Sequence, residues 1–408
     1  MDEKKRIAFV CHPYHRGGVT RWMADAAIAA AAGGHEVYFI TVEPAQVFFS
    51  GKGRETMLQL LAKEPNTVQT IKTKAGREFE FGTPEYRAFV YKKLIVQLPR
   101  GVPLILSDDA VVWEAATYLH GSYFIAGVLH SDDEPYYHLA EKYSRKTDAF
   151  ICVSNRVCTT VKNRIPSFDP SRIFIIPCGI NLPAVYYHND PKDFLRLVYV
   201  GRVSDYQKRT GDLVTICGLL AKQKTKFHLD IIGDGDTKAA LEMKFKEAGL
   251  HEYVTFWGWL SQKEVARHLS SSDILVLTSD FEGTPIAMME ALAAGCGMAG
   301  TRVSGIEDYE FHPLAADCLG VYAVGDVEGA VGKILNLATI PKSTRQNATR
   351  KMAESEFSMG VCLERYFNAV HEKKSPAPPL AVKLSFFDLL YSRVLAVLRY
   401  LKVRKWWS

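Results

Sequence analysis

Glu282 and Glu290, with seven residues between them, lie in the run Ser279-Asp280-Phe281-Glu282-Gly283-Thr284-Pro285-Ile286-Ala287-Met288-Met289-Glu290-Ala291-Leu292-Ala293-Ala294-Gly295. Thr284 is a capping type and Pro285 suits the first helical position, so a helix should begin here, soon after a strand over Ile274–Thr278. The free backbone N–H groups of such a start form a site for a phosphate, or for a hydroxyl beside one. Glu282 then falls in the turn and Glu290 about one and a half turns along the helix. Two carboxylates reach one ligand at different depths, as acceptors for hydroxyls rather than as nucleophiles. The competing reading makes Glu282 a solvated loop acid and Glu290 a surface helix acid.

A second cluster, Val200-Gly201-Arg202-Val203-Ser204-Asp205-Tyr206-Gln207-Lys208-Arg209, ends a strand and enters a loop. An Arg fork plus a Lys ammonium in one cleft would bind a diphosphate and stabilise the charge that grows as it leaves. Solvated loop charges are the alternative. Ile232-Gly233-Asp234-Gly235-Asp236 falls short of a dinucleotide fingerprint, because Lys238 stands where the third glycine belongs, and reads as a tight turn near the ligand. Gly17-Gly18 follows the first strand, where backbone approaches a phosphate closely. His130 ends a strand and precedes Ser131-Asp132-Asp133. It belongs at a cleft mouth, exchanging hydrogen bonds with a substrate hydroxyl, or is a loop histidine beside acids. Neither Asp132-Asp133 nor Asp108-Asp109 has the aspartate–any–aspartate spacing of a divalent-metal site. With Arg202 and Lys208 on a diphosphate a divalent cation is redundant, so no metal is expected.

The elements that would position these groups follow a repeating plan. An apolar run (Ile7 to Cys11), a Gly pair, a helix-forming stretch to Ala32, a Gly stop and the strand His35–Thr41 make a βαβ unit of a parallel sheet. Further strands are expected at Pro103–Ser107, Phe124–His130, Ala149–Val153 and Ile173–Ile176; segment 46–102 is charged, helical in flavour and has no clear place. After the polar stretch Tyr186–Asp193 the alternation restarts. Strands are expected at Leu195–Val200, Phe227–Ile232, Tyr253–Trp257, Ile274–Thr278, Cys296–Ala299 and Gly320–Tyr322, with helices near 209–222, 236–249, 261–270, 285–294 and 326–338. Two α/β domains with parallel sheets, 1–186 and 195–355, would face each other across a cleft, since such sheets bind ligands beyond the carboxyl ends of their strands.

Composition agrees. The chain has 408 residues, 48% hydrophobic and 23% charged, with a mean hydropathy of −0.05, which excludes a disordered, collagen-like or polytopic membrane chain. Residues 1–188 carry net +3, residues 189–379 net −3 and the last 29 residues net +5. A near-neutral body with a basic extension does not fit a nucleic-acid binder, whose charge sits on a folded face. The eight cysteines lie scattered in apolar runs without a CxxC pair, as core thiols of a reducing compartment do. The charged start and short apolar run Ile7–Val10 are no signal peptide, so a cytoplasmic body is expected. Lys373-Lys374-Ser375-Pro376-Ala377-Pro378-Pro379 is an extended linker. Beyond it, 380–408 is a basic, amphipathic helical stretch ending in Trp406-Trp407, suited to lie in an anionic membrane interface at the inner face of the membrane, or to dock on a protein.

Over residues 6–372 the chain resembles the GT-B glycosyltransferases of the large retaining family four (glycosyl transferases group 1), typified by bacterial polysaccharide and lipid glycosyltransferases. The resemblance rests on Glu282 to Glu290 in its context, Gly201-Arg202 with Lys208, and Ile176-Pro177-Cys178-Gly179-Ile180-Asn181 at the domain crossover, where Cys178 replaces the usual asparagine. Gly17-Gly18, His130 and Val153-Ser154 also fit. It implies two Rossmann-like domains, the first binding a lipid-linked or glycan acceptor and the second a nucleotide-sugar donor, most often a UDP-sugar. A helix over 356–372, with Phe357-Ser358 and Tyr366, would cross back to the first domain. By the same resemblance Glu290 holds the ribose, Glu282 and the N–H groups around Gly283–Ile286 (Gly283, Thr284 and Ile286, with Pro285 shaping the turn between them) the donor sugar region, and Arg202 and Lys208 the leaving diphosphate. Gly17 and Gly18 would close over it, Gly258 and its strand would meet the base, and His130 the sugar. The expected enzyme is a retaining, metal-independent hexosyltransferase with no cofactor beyond its donor substrate. A GT-B epimerase, a phosphorylase-like enzyme and a non-catalytic nucleotide-sugar-binding protein are the rivals.

Overall fold

The computed structural model describes residues 4–12, 18–43, 68–74, 83–107, 109–183 and 193–371, together with Leu61 and Phe79. Lobe 1 is built on a seven-stranded parallel sheet in the order β3-β2-β1-β4-β5-β6-β7. Its strands are β1 (Arg6–Val10), β2 (Glu36–Glu43), β3 (Val68–Lys74), β4 (Leu104–Leu106), β5 (Ile125–Leu129), β6 (Ala149–Cys152) and β7 (Ile173–Ile175). The central strands read as unbroken apolar runs because helices cover both faces; β4, β5 and β6 are buried at every position. Those helices are α1 (Gly18–Ala32), α2 (Pro84–Ile95), α3 (Ala110–Thr117), α4 (Glu134–Tyr143) and α5 (Asn155–Arg164). Thr83, Asp109, Asp133 and Ser154 cap the last four through their side chains.

Lobe 2 repeats the plan with six parallel strands, order β10-β9-β8-β11-β12-β13. They are β8 (Leu195–Val200), β9 (Phe227–Ile232), β10 (Val254–Gly258), β11 (Ile274–Leu277), β12 (Gly297–Thr301) and β13 (Leu319–Tyr322). Its helices are α6 (Asp205–Lys208), α7 (Asp212–Lys222), α8 (Lys238–Glu247), α9 (Gln262–Ser271), α10 (Ile286–Ala293), α11 (Ala315–Cys318), α12 (Val327–Thr339) and α13 (Lys342–Met352). In each lobe the strand order reverses once, between β1 and β4 and between β8 and β11. Open α/β sheets bind ligands in the crevice beyond the strand ends at such a reversal. Two parallel-sheet lobes are what the repeated βα alternation foretells, and the arrangement is the GT-B fold that the resemblance implies.

After α13 a π-helical turn, Ala353–Phe357, leads into α14 (Met359–His371), which packs on α1 of lobe 1. The stretch after β7 meets the stretch before α14: Ile180 N–H donates to Phe357 O at 2.8 Å and Met359 N–H to Ile180 O at 2.8 Å. Gly179 is required there, because a Cβ on it would lie 2.5 Å from the Cys362 side chain and 2.9 Å from Met359 Cα.

Four details differ from expectation. Segment 46–102, read as helical in flavour but without a place, holds the strand β3 besides the helix α2. β3 pairs along its whole length with β2 but forms the sheet edge, so its outer half stays polar and carries no apolar run. The strand expected at Cys296–Ala299 runs over Gly297–Thr301. Helix α10 starts at Ile286, with Pro285 still extended at ψ 122 and no side-chain cap. All eight cysteines are free and buried, but Cys152 and Cys158 are neighbours that influence each other's ionisation rather than isolated thiols. Gly17, Asp108 and the stretch 380–408 lie outside the described residues.

Candidate functional site

At the lobe 2 reversal, β8 delivers Gly201-Arg202 and β11 delivers Thr278–Glu282. The two loops are stitched to each other. Thr278 Oγ1 donates to Lys208 O at 2.7 Å, Asp280 N–H to Gln207 O at 2.8 Å, and Gln207 Nε2 to Phe281 O at 3.1 Å. This stitching brings Lys208 Nζ to 2.5 Å from Glu282 Oε1, an oxygen that also accepts from Ser279 Oγ at 2.6 Å. Glu282 is only 5% exposed. It is therefore no solvated loop acid, and its negative charge is matched by a partly buried ammonium. Arg202 is exposed, and among the described residues no carboxylate lies in ion-pair range of it. Its own carbonyl is held by Tyr199 Oη at 2.6 Å. One cation is thus stored in a pair and the other is available.

Two glycines let the backbone beneath Arg202 pack this closely. A Cβ on Gly233, whose φ is +139°, would lie 1.8 Å from Gly201 O, and one on Gly235 would lie 2.0 Å from Val203 O. The Gly233-Asp234-Gly235 turn therefore supports the Arg202 loop by direct backbone packing.

The start of α10 faces lobe 1. Thr284 does not cap the helix; its hydroxyl donates across the cleft to Val153 O at 2.5 Å. A Cβ on Gly18, the first residue of α1, would lie 2.6 Å from Ile286 Cδ1, so the two helix starts meet. Gly283 forms an antiparallel bridge with Ser131, and a Cβ on it would lie 2.0 Å from His130 O. Only glycine permits that approach. His130 is buried, with Nδ1 3.7 Å from Cys178 Sγ and its ring edge-on to Trp22 at 5.3 Å.

Glu290 is part-buried one helix face along, with Gln262 of α9 favouring its charged form. Arg21 of α1 reaches over from lobe 1, donating to Gln262 Oε1 and to Asp25 Oδ2, each at 2.8 Å. Burial pushes the Glu290 carboxyl up to about 7, Asp25 adding to the shift while Gln262 and Arg21 oppose it. Burial raises Asp25 as well. Glu290 is not an ordinary surface helix acid.

Gly258 stands apart from this cluster. It lies at the end of the edge strand β10, at a register shift, with φ +67° and its carbonyl bound to Gly233 N–H at 2.8 Å. The neighbouring Trp257 and Trp259 rings are about half exposed, at 46% and 54%. Gln262, Arg21 and His12 are not singled out by the sequence; Ser279 enters only as the start of the glutamate run, and Asp109 only in the Asp108-Asp109 pair weighed for a metal. His12 Nε2 is 3.8 Å from Asp109 Oδ2 at the β1/β4 reversal, beside the Tyr91 ring. The only signal for that pair was a histidine directly after β1 and an N-cap aspartate after β4. Among the described residues no group of three or more His, Cys, Asp or Glu side chains is arranged to hold a metal ion, and no helix is long and apolar enough to cross a membrane.

Residues 195–339 match the family model described as Glycosyl transferases group 1. The amylovoran biosynthesis glycosyltransferase AmsK of Erwinia amylovora is 29% identical over 178 residues, 41% of this chain and 42% of that protein. The lipopolysaccharide 1,6-galactosyltransferase of Salmonella typhimurium is 29% identical over 143 residues, 34% of this chain and 39% of that protein. The chain thus spans less than half the length of these curated relatives. A glycosyltransferase structure from Rickettsia africae superposes with a TM-score of 0.68 at 17% identity, covering 91% of this chain and 99% of that one. Anabaena HepE in complex with UDP-glucose gives 0.69 at 13% identity, covering 90% and 99%. At these identities the solved structures share the fold.

Proposed function

We propose, for a chain with the GT-B fold that is related to the group 1 glycosyl transferases, that it is a retaining glycosyltransferase moving a sugar from a nucleotide-sugar donor, a UDP-sugar, to a hydroxyl of a lipid-linked or polysaccharide acceptor. The observation that carries this reading is the meeting of Lys208, Glu282 and the uncapped start of α10 against Gly18 of the opposite lobe. The helix start, the Lys208 ammonium and the buried Glu282 carboxylate are groups of the kind a sugar diphosphate would use, which supports this reading. The name of the HepE complex, with UDP-glucose, supports the donor class.

The donor's diphosphate sits on the helix start and Gly18. Lys208 then exchanges its carboxylate partner for a phosphate oxygen, which releases Glu282 to accept from a sugar hydroxyl. Glu290 accepts from the ribose, and His130 bonds the sugar from lobe 1. The bond between the anomeric carbon and the diphosphate oxygen breaks, and its electron pair leaves with the nucleoside diphosphate. Arg202 and Lys208 stabilise that charge. The acceptor oxygen attacks from the same face, and its proton passes to the departing phosphate oxygen. The acceptor enters over the β1/β4 reversal of lobe 1, beside His12 and Asp109. Residues 1–186 serve as the acceptor domain, 195–355 as the donor domain and 356–372 as the crossover.

A panel of UDP-, GDP- and ADP-sugars tests the reading by protection against thermal unfolding, since a ligand that prefers the native state raises its stability. One UDP-sugar should raise Tm. The rise should be largely lost in Arg202→Ala and unaffected by a chelator, because the cations come from the chain. No protection by any of the three classes would end the proposal. We also propose that 380–408 attaches the protein peripherally to the inner face of the cell membrane. Deleting it should release the protein from vesicles rich in anionic lipid while leaving donor protection intact; unchanged vesicle binding would exclude this attachment.

A further inference from the structure

Four consecutive residues of lobe 1, at the end of β6 and the start of α5, each hold a partner in lobe 2. Val153 O accepts from Thr284, Ser154 Oγ meets Ser304 Oγ at 2.6 Å with both residues fully buried, and Asn155 N–H donates to Asp308 Oδ2 at 2.8 Å. Arg156 grips Glu307 with two nitrogens, Nε at 2.7 Å and Nη2 on the other carboxylate oxygen. The same guanidinium has Nη1 3.8 Å from Asp132 Oδ2 of its own lobe. Asp132 in turn donates its backbone N–H to Glu282 O at 2.9 Å, and the residue before it forms the bridge to Gly283. The path Glu307–Arg156–Asp132–Glu282 thus leaves lobe 2, passes through lobe 1 and returns at the backbone carbonyl of Glu282, the residue whose side chain bears the carboxylate of the candidate site.

We propose that Arg156 is a positioning residue that ties closure of the two lobes to the alignment of Glu282 and His130. It touches neither donor nor acceptor. Its forked pairing fixes the 304–308 loop against α5, and through Asp132 it sets the strand-like pairing of 131–132 with 282–283. A simple surface ion pair contributes little. This one is bidentate and adjoins a buried Ser–Ser contact and a helix start covered by Asp308, so reversing its charge sets like charges face to face at a packed interface.

The test uses the full chain with Arg156→Glu, Glu307→Arg and the double swap, plus Arg156→Lys, which keeps charge but loses the fork. Three readouts are taken: the radius of gyration in solution with UDP present, UDP affinity, and kcat and KM for sugar transfer. Each reversal should enlarge the radius of gyration and lower kcat by roughly ten-fold or more, with UDP affinity changed less, since UDP is held mainly by lobe 2. Arg156→Lys should fall between, and the double swap should recover most of both losses. Unchanged radius and kcat in the reversals, or a double swap no better than its worse parent, would overturn the proposal. Should the reversals fail to fold, an Arg156→Lys protein indistinguishable from the parent would overturn it equally. The inference rests on the glycosyltransferase reading only for its kcat readout. If the parent neither binds UDP nor turns over, that reading fails while the radius of gyration still decides the clasp.

Discussion

Lys208→Ala should lower sugar transfer by roughly a hundred- to a thousand-fold, the usual loss when one charged donor to a developing anion is removed from a preorganised site. The structure adds a second consequence. Lys208 and Glu282 form a pair whose side chains are only 18% and 7% exposed. Removing the ammonium alone leaves a buried carboxylate with Ser279 as its remaining donor, and stability should fall by about 2–4 kcal/mol. Replacing both, as Lys208→Ala with Glu282→Gln, removes the stranded charge and should recover most of that stability. It should recover none of the turnover, because the leaving diphosphate still lacks its cation and the sugar its carboxylate. Urea denaturation and steady-state kinetics on the three variants separate the two roles. A Lys208→Ala enzyme with near-parental kcat would remove Lys208 from the chemistry, and a double variant that regains activity would reduce the pair to a structural bridge.

Much of this arrangement was legible in the residues, and the exceptions have physical reasons. The βα alternation predicts both sheets because buried parallel strands must be continuous apolar runs, as Ile125–Leu129 and Ile274–Leu277 are. β3 escaped notice for the converse reason: an edge strand satisfies one side only, and Val-Gln-Thr-Ile-Lys-Thr-Lys carries its polarity outward. Thr284 was read as a cap from its type and position. Its hydroxyl finds Val153 O instead, a partner 131 residues away that no local pattern encodes. The same holds for Arg21 over Gln262 and Arg156 over Glu307, whose partners lie 241 and 151 residues away. Residues that act within one loop, such as Arg202 with Lys208, announce themselves by spacing. Residues that act between lobes do not, because their spacing is set by how the two sheets face each other.

Glu290→Gln should move stability and function in opposite directions. In the free protein the Glu290 carboxyl is held up to about 7, first by burial and then by Asp25, against an ordinary value of 4.5. The folded chain therefore keeps this proton over a range in which the unfolded chain has released it. By linkage, stability declines as pH rises from about 4.5 to about 7 and then levels off. A glutamine has no proton to lose. The variant should match the parent near pH 4.5 and exceed it by about 1–3 kcal/mol at pH 8, where the parent carries a part-buried charge only partly offset by Gln262 and Arg21. Donor binding should respond the other way. Two ribose hydroxyls need an ionised acceptor, and loss of charge-assisted bonds should weaken nucleotide affinity by roughly ten- to a hundred-fold at pH 8. Parental affinity should climb as pH rises through 7, while the variant's stays flat. Denaturant titrations at pH 5 and 8, paired with UDP binding at each, read both quantities. A variant no more stable than the parent at pH 8, or parental UDP binding that weakens as pH rises, would break the assignment of Glu290 as an ionised ribose acceptor. The expected outcome would mean that a costly, part-buried carboxylate is retained because the ligand, and not the fold, requires its charge.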